Sequence, residues 1–203
     1  MNEKYKNLYR IPSARLQNWD YTADGAYFIT ICTKNRIHFF GECEKGKMKL
    51  STIGAIVQGL WYDIPNHPPY SVILGDFVVM PNHIHGIIVI DKSTVETLPA
   101  TSKTENEQII DIQPEPETLQ VTSLPLKNEF YKQIAPKAGS IARIVGAFKS
   151  SCSRHINAGF PDINFAWQER FWDNIIRTEE SYDNISDYII NNPFNWDKDK
   201  FFD

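Results

Sequence analysis

"YSVILGDFVVMPNHIHGIIVID" runs from Tyr70 to Asp91. Two apolar, β-branched runs, 70–80 and 83–91, flank a Pro81–Asn82 step. Such runs, bounded by turn residues, read as strands. So short a connection leaves no room for a crossover, so the pair must form an antiparallel hairpin. Side chains two apart in a strand share a face. His83 and His85 therefore stand side by side, and Ile84 points to the other face. Two neutral imidazoles so placed can share a divalent ion. They equally suit the solvent side of a half-exposed sheet.

Outward from the hairpin, "AYFITICT" (Ala26–Thr33) is aromatic and β-branched and reads as a strand. The lysine-bearing stretch 34–51 reads as a loop or hairpin. Ser51 can cap a helix from Thr52 to about Ile64. Its stripe of Ile53, Ile56, Val57, Leu60, Trp61 and Ile64 follows the i, i+3, i+4 spacing of one buried face. Ser140 opens a second helix to about Asn157, with Ile141, Ile144, Val145, Phe148 and Cys152 on one side. "FAWQERFWDNIIR" (165–177) suits a strand or extended segment. Residues 178–193 suit a helix, with Glu179 and Glu180 at its N-terminal dipole end and Pro193 at its stop. The resulting order predicts an α+β, ferredoxin-like (β-α-β-β-α-β) antiparallel sheet with helices on one face. One additional C-terminal helix follows that core.

Residues 92–138 are polar, acidic and Pro-bearing, without a sustained period. They read as an insertion that interrupts a single domain spanning 1–203. The net charge of −4 argues against a nucleic-acid partner until the acids are located. Eight acids and three lysines fall within 91–130, which leaves 18 basic and 17 acidic residues elsewhere. The rest of the chain is thus nearly neutral. No apolar run reaches the length of a membrane span, and the polar start "MNEKYKNLYR" lacks an apolar signal region. Cys32, Cys43 and Cys152 lie far apart without CxxC spacing, so a reducing cytoplasm is the expected home.

A metal pair needs further ligands, and the last helix offers some. Tyr188 and Asn192 are i and i+4 there, at the edge of the apolar stripe of Tyr182, Ile185 and Ile189. A boundary tyrosine and a fraying helix end would explain them as well. Joined to the histidines, they suggest more. A phenol with its pKa near 10 is a poor nucleophile at neutral pH. A cation held by two imidazoles and an amide oxygen could polarise a phosphodiester for attack by Tyr188.

These residues carry a resemblance. The chain resembles the REP-associated tyrosine transposases of the HUH single-tyrosine family. The matching blocks, in order, are "MPNHIHGII", "GSIARIVGAFKSSCSRHIN", "WQERFWDNIIR" and "EESYDNISDYIINNP". The likeness covers 27 to about 196, apart from the acidic insertion, which departs from the family pattern. It implies a ferredoxin-like sheet and a bound Mg²⁺ or Mn²⁺. It implies cleavage of single-stranded DNA near hairpins through a 5′-phosphotyrosine, with strand transfer to follow. His83 and His85 match the metal histidines, Tyr188 the nucleophile and Asn192 the amide ligand. Asn191 points elsewhere on the helix.

Single-stranded or hairpin DNA is the implied partner, with no membrane involved, and the chain would act as a monomer or a homodimer. Basic candidates for DNA contact are Lys45, Lys47 and Lys49, then Arg143, Lys149, Arg154 and Arg170. Lys4, Lys6, Arg10, Arg15 and Arg177 are others, and Trp167, Phe171 and Trp172 could stack on unpaired bases. The competing reading is a hairpin-DNA-binding protein of the same fold without catalysis. A histidine-triad hydrolase fits poorly, because Ile87 fills the third place of its H-x-H-x-H run.

Overall fold

The computed structural model describes residues 19–67, 71–92 and 136–202. Most of the expected insertion and the basic residues Lys4, Lys6, Arg10 and Arg15 lie outside the described residues.

The chain enters through β1 (Gly25–Cys32) and turns into a hairpin, β2 (Gly41–Glu44) and β3 (Lys47–Leu50). Helix α1 (Thr52–Tyr62) leads to β4 (Val72–Val79) and β5 (His83–Ile90). Helix α2 (Ile141–Gly159), β6 (Trp172–Ile176) and α3 (Glu179–Asn191) complete the order. The main sheet runs β4-β5-β1-β6, and every neighbouring pair is antiparallel. This is the ferredoxin-like arrangement expected from the order of elements.

Local chemistry sets the boundaries. Ser51 accepts a hydrogen bond from the Gly54 amide and Ser140 from the Arg143 amide, satisfying donors that the first helical turn leaves free. Thr178 does the same for α3 through Ser181. Helix α1 stops two residues before the expected Ile64, because Pro65 cannot donate to the ladder; a 3-10 turn over Ile64–Asn66 takes its place.

The period-two alternation divides the sheet into two faces. Tyr27, Ile29 and Ile31 of β1, with Ile84, Ile88 and Ile90 of β5, meet Val57 and Trp61 of α1 and the stripe of α2. Fully burying such a side chain contributes roughly 1.5–3 kcal/mol each, so this face carries most of the stability. Gly86 belongs to it: a Cβ there would collide with the Trp61 ring, which lies flat on Phe77. The opposite face carries Phe28, Thr30, His83, His85 and Ile87. Helix α3 covers part of it through Ile189, Ile185 and Tyr182.

One irregularity orients α3. Leu74 pairs with Ile88 and Phe77 with Gly86, so Gly75 and Asp76 together oppose Ile87. Such a bulge bends a strand and re-aims its side chains. Here it turns Asp76 toward α3, where its carboxylate accepts a hydrogen bond from the Ser186 hydroxyl. Gly75 leaves room for Tyr182, whose hydroxyl would sit 2.6 Å from an added Cβ.

Candidate functional site

His83 and His85 open β5 and are both fully buried, so the solvent-side reading does not hold. Helix α3 and the C-terminal segment close over their face of the sheet. The two Nε2 atoms lie 3.0 Å apart. Each ring is held from behind. Asn82 donates its amide to the Phe201 carbonyl, which leaves its Oδ1 to accept from His83 Nδ1 at 2.8 Å. His83 thus carries its proton on Nδ1 and turns a lone pair on Nε2 toward its neighbour. His85 Nδ1 meets the Thr30 hydroxyl at 2.8 Å. That hydroxyl can donate or accept, so the His85 tautomer can follow whatever sits at its Nε2.

Tyr188 and Asn192 come to this pair from α3 and the turn after it. Asn192 keeps helical backbone angles, so the i, i+4 geometry persists past the last helical residue. The Tyr188 hydroxyl lies 3.3 Å from His85 Nε2. Its ring meets His85 and Phe28 edge-on, at centroid separations of 5.2 and 6.0 Å. It is 42% exposed, open enough to meet a polymer from solution. Asn192 is buried; its Nδ2 donates to Asp199 at 3.2 Å, and its Oδ1 has no partner among the described residues. An unpaired buried amide oxygen costs about 1–3 kcal/mol unless something binds it. Asn191, by contrast, is exposed and bonded to its own helix through Asp187.

Asp199 is the member that the sequence reading missed. Its carboxylate and the two imidazole nitrogens lie within 4.8 Å of one another. It sits beyond a 3-10 turn (Asn192–Lys198), where no period marks it out, and the Phe201 amide fixes it at 2.7 Å. Two neutral nitrogens, an unpaired amide oxygen and a carboxylate form a mixed N/O donor set that fits a divalent cation. A cavity of about 470 Å³ opens here, lined by Phe28, His85, Tyr188, Asn192, Asp199 and Lys200 among others.

Burial governs the electrostatics. It lowers the His83 pKa to about 3, helped by Lys200, Arg36 and His38. His85 lies well below its ordinary value, first from burial and then from His83. Both rings are therefore neutral near pH 7 and able to act as ligands. Burial, followed by the Asp199 charge, raises the Tyr188 phenol above its usual value.

The basic candidates divide. Lys45, Lys47 and Lys49 are exposed on the β2–β3 hairpin, which packs against the turn after α3; Lys49 faces Glu42 and Glu44 at 3.4 and 3.9 Å. Arg143 and Arg154 are exposed on α2, against the face of the sheet turned away from the histidines. Lys149 is committed elsewhere: its ammonium holds the carbonyls of Gln168 and Glu169 at 2.6 and 3.1 Å, and burial lowers its pKa. Arg170 is exposed just before β6. Trp167 is buried in the core, so it offers no stacking surface, whereas Trp172 is 61% exposed. Among the described residues, no helix is long and apolar enough to cross a membrane.

No family model matches the chain. It is similar to a solved REP-associated tyrosine transposase bound to a REP hairpin, with a TM-score of 0.49 and 16% identity over 89% of this chain and 74% of that one. It is also similar to a candidate transposase of Deinococcus radiodurans R1, with a TM-score of 0.43 and 14% identity over 87% and 95% of the two chains. At these values neither likeness assigns an activity. A curated protein of Haemophilus influenzae (strain ATCC 51907 / DSM 11121 / KW20 / Rd), described as uncharacterized, is 35% identical over 203 residues. The match spans 100% of this chain and 99% of that protein. The chain belongs to the family of that Haemophilus influenzae protein.

Proposed function

We propose that the chain is a metal-dependent DNA strand-transfer enzyme of the HUH single-tyrosine type, with Tyr188 as its nucleophile. One observation carries the reading. The Tyr188 hydroxyl stands 3.3 Å from His85 Nε2, at the mouth of a buried donor set that has an orphaned Asn192 oxygen. A purely structural histidine pair needs neither the phenol nor the unpaired amide.

In this reading His83, His85 and Asn192 would hold Mg²⁺ or Mn²⁺, with the Asp199 carboxylate beside them. The ion, when bound, supplies positive charge against the phosphate oxygens as charge builds up on them. The chain's own residues do the rest. The Tyr188 oxygen forms a bond to phosphorus, and the bond from phosphorus to the 3′-oxygen breaks. The products are a 5′-phosphotyrosine and a 3′-hydroxyl. The phenolic proton passes to the Asp199 carboxylate, and the departing oxygen takes a proton from water. Reversal with a different 3′-hydroxyl joins strands. The rings of Phe28 and His85, stacked on each other, meet the phenol edge-on and hold it in one orientation, which supports in-line attack.

The test is covalent trapping. Purified protein with Mn²⁺ and hairpin DNA bearing a single-stranded flank should form an adduct that survives denaturation. EDTA and Tyr188→Phe should each abolish it. An undiminished adduct in Tyr188→Phe would remove the nucleophile assignment. DNA binding without any adduct, whatever the metal, would favour the non-catalytic reading.

A further inference from the structure

A second cavity, of about 320 Å³, adjoins the first. Arg36, Gln168, Trp172, Lys200 and Phe201 line it, and Lys200 lines both. Its position follows from register. His85 pairs with Thr30 across β5 and β1, and Thr30 pairs with Trp172 across β1 and β6. Directly paired residues share a face. His85, Thr30 and Trp172 thus form one row across the sheet. With strands ~4.8 Å apart, Trp172 stands roughly 10 Å from the histidine. That is about the span from a backbone phosphate to a neighbouring base.

The cavity is built of groups that suit a nucleotide. Trp172 is 61% exposed, although its strand-mate on the same face, Ile176, is buried under α3. Arg36 and Lys200 stack their cations on the Phe201 ring at 5.4 and 4.8 Å. Neither meets a carboxylate in an ion pair among the described residues. Arg36 is held by donating to the Lys200 carbonyl at 3.2 Å and takes a left-handed backbone, φ 53°, that arginine rarely adopts. Gln168 adds an amide able to donate and accept. A large exposed indole, two cations without an ion pair among the described residues and an amide fit a base with its phosphate; the charges exclude a cationic or bare apolar partner, and the open indole favours a planar base over an acidic peptide.

We propose that this cleft is a subsite for one unpaired base of single-stranded DNA. That base would flank the phosphate Tyr188 attacks, stacked on Trp172 with its own phosphate between Arg36 and Lys200. The proposal rests on the strand-transfer reading above and adds to it the residue that holds the nucleotide beside the scissile bond.

The test uses the full chain and a DNA hairpin with a mixed-sequence single-stranded flank, in which 5-iododeoxyuridine is placed at successive flank positions. Irradiation should yield a crosslinked peptide containing Trp172 from one position above all others. Trp172→Ala should remove that crosslink and weaken binding about 5- to 150-fold, the range for loss of one stacked base. Trp172→Phe should restore most of the affinity. Arg36→Ala should lower the slope of log affinity against log salt by about one. Since Trp172 is exposed, the variants should keep the wild-type circular dichroism. Crosslinks that avoid Trp172, together with wild-type affinity in Trp172→Ala, overturn the subsite. If the wild-type protein still forms its adduct in that case, the strand-transfer reading stands alone. If the wild-type protein neither binds the flank nor forms an adduct, both fall together.

Discussion

The Nε2 atoms of His83 and His85 face each other at 3.0 Å, with Asn82 fixing the proton of His83 on the far side of its ring. Two lone pairs cannot remain at that distance. Either His85 lends an Nε2 proton, with Thr30 donating to its Nδ1, or a cation lies between the rings and Thr30 accepts. The protein should therefore bind Mn²⁺ at one site per chain, read by calorimetry. His83→Ala or His85→Ala should abolish that binding. Thr30→Val and Asn82→Ala should weaken it about 10- to 100-fold, as expected when a ligand loses the group that orients it.

The same burial makes the metal-free protein acid-sensitive. In the unfolded chain His83 titrates near 6.5, but in the folded chain it titrates at about 3. As pH falls below 6.5, the unfolded state takes up a proton that the folded state refuses. Stability is thus complete above pH 6.5 and lost as pH falls toward 3, at about 1.4 kcal/mol per pH unit from this group. Urea unfolding in EDTA across pH 7 to 5 should show that slope, with a further contribution from His85. His83→Gln should flatten it.

Asp76 and Ser186 tie the bulge of β4 to the helix that bears Tyr188. Ser186→Ala leaves a half-buried carboxylate without its donor. The expected loss is about 1–3 kcal/mol in stability. Adduct formation should slow more than DNA binding weakens, because the tether positions the phenol and does not touch the DNA. Equal losses in both would point to general unfolding, which a thermal melt would reveal.

Gly86 separates His85 from Ile87 and lies under the Trp61 ring. Trp61 is itself wedged between Phe77 and Phe148, at 4.5 and 5.4 Å, so it cannot retreat. Gly86→Ala should cost about 1–3 kcal/mol by overpacking, seen as a lowered melting temperature. Mn²⁺ affinity should fall with it as β5 shifts. Gly59→Ala is the contrast: its Cβ would enter open space, so it should be tolerated or slightly stabilising.

What could be read from the sequence was what repeats locally. The β4–β5 hairpin, the α1 and α2 stripes and the shared face of His83 and His85 all rest on periods of two or 3.6 residues. Tyr188 and Asn192 could be paired because i and i+4 meet on a helix. The remainder of the site depends on register and on irregular backbone. Thr30 reaches His85 only through the pairing of strands 55 residues apart in sequence. Asp199 arrives through a 3-10 turn in "NWDKDKFFD", where one acid looks like another. The indole of Trp167 was indistinguishable from that of Trp172 until the chain placed one in the core and the other at the cleft. Lys149 looked like surface charge because the carbonyls it holds leave no mark in sequence.

The most direct test of the central claim is diffraction from crystals grown with Mn²⁺, using the anomalous signal of the ion. The account predicts a single strong peak bonded to His83 Nε2, His85 Nε2 and Asn192 Oδ1, beside the Tyr188 hydroxyl. A peak elsewhere would contradict it, as would an empty cleft in protein shown to be active.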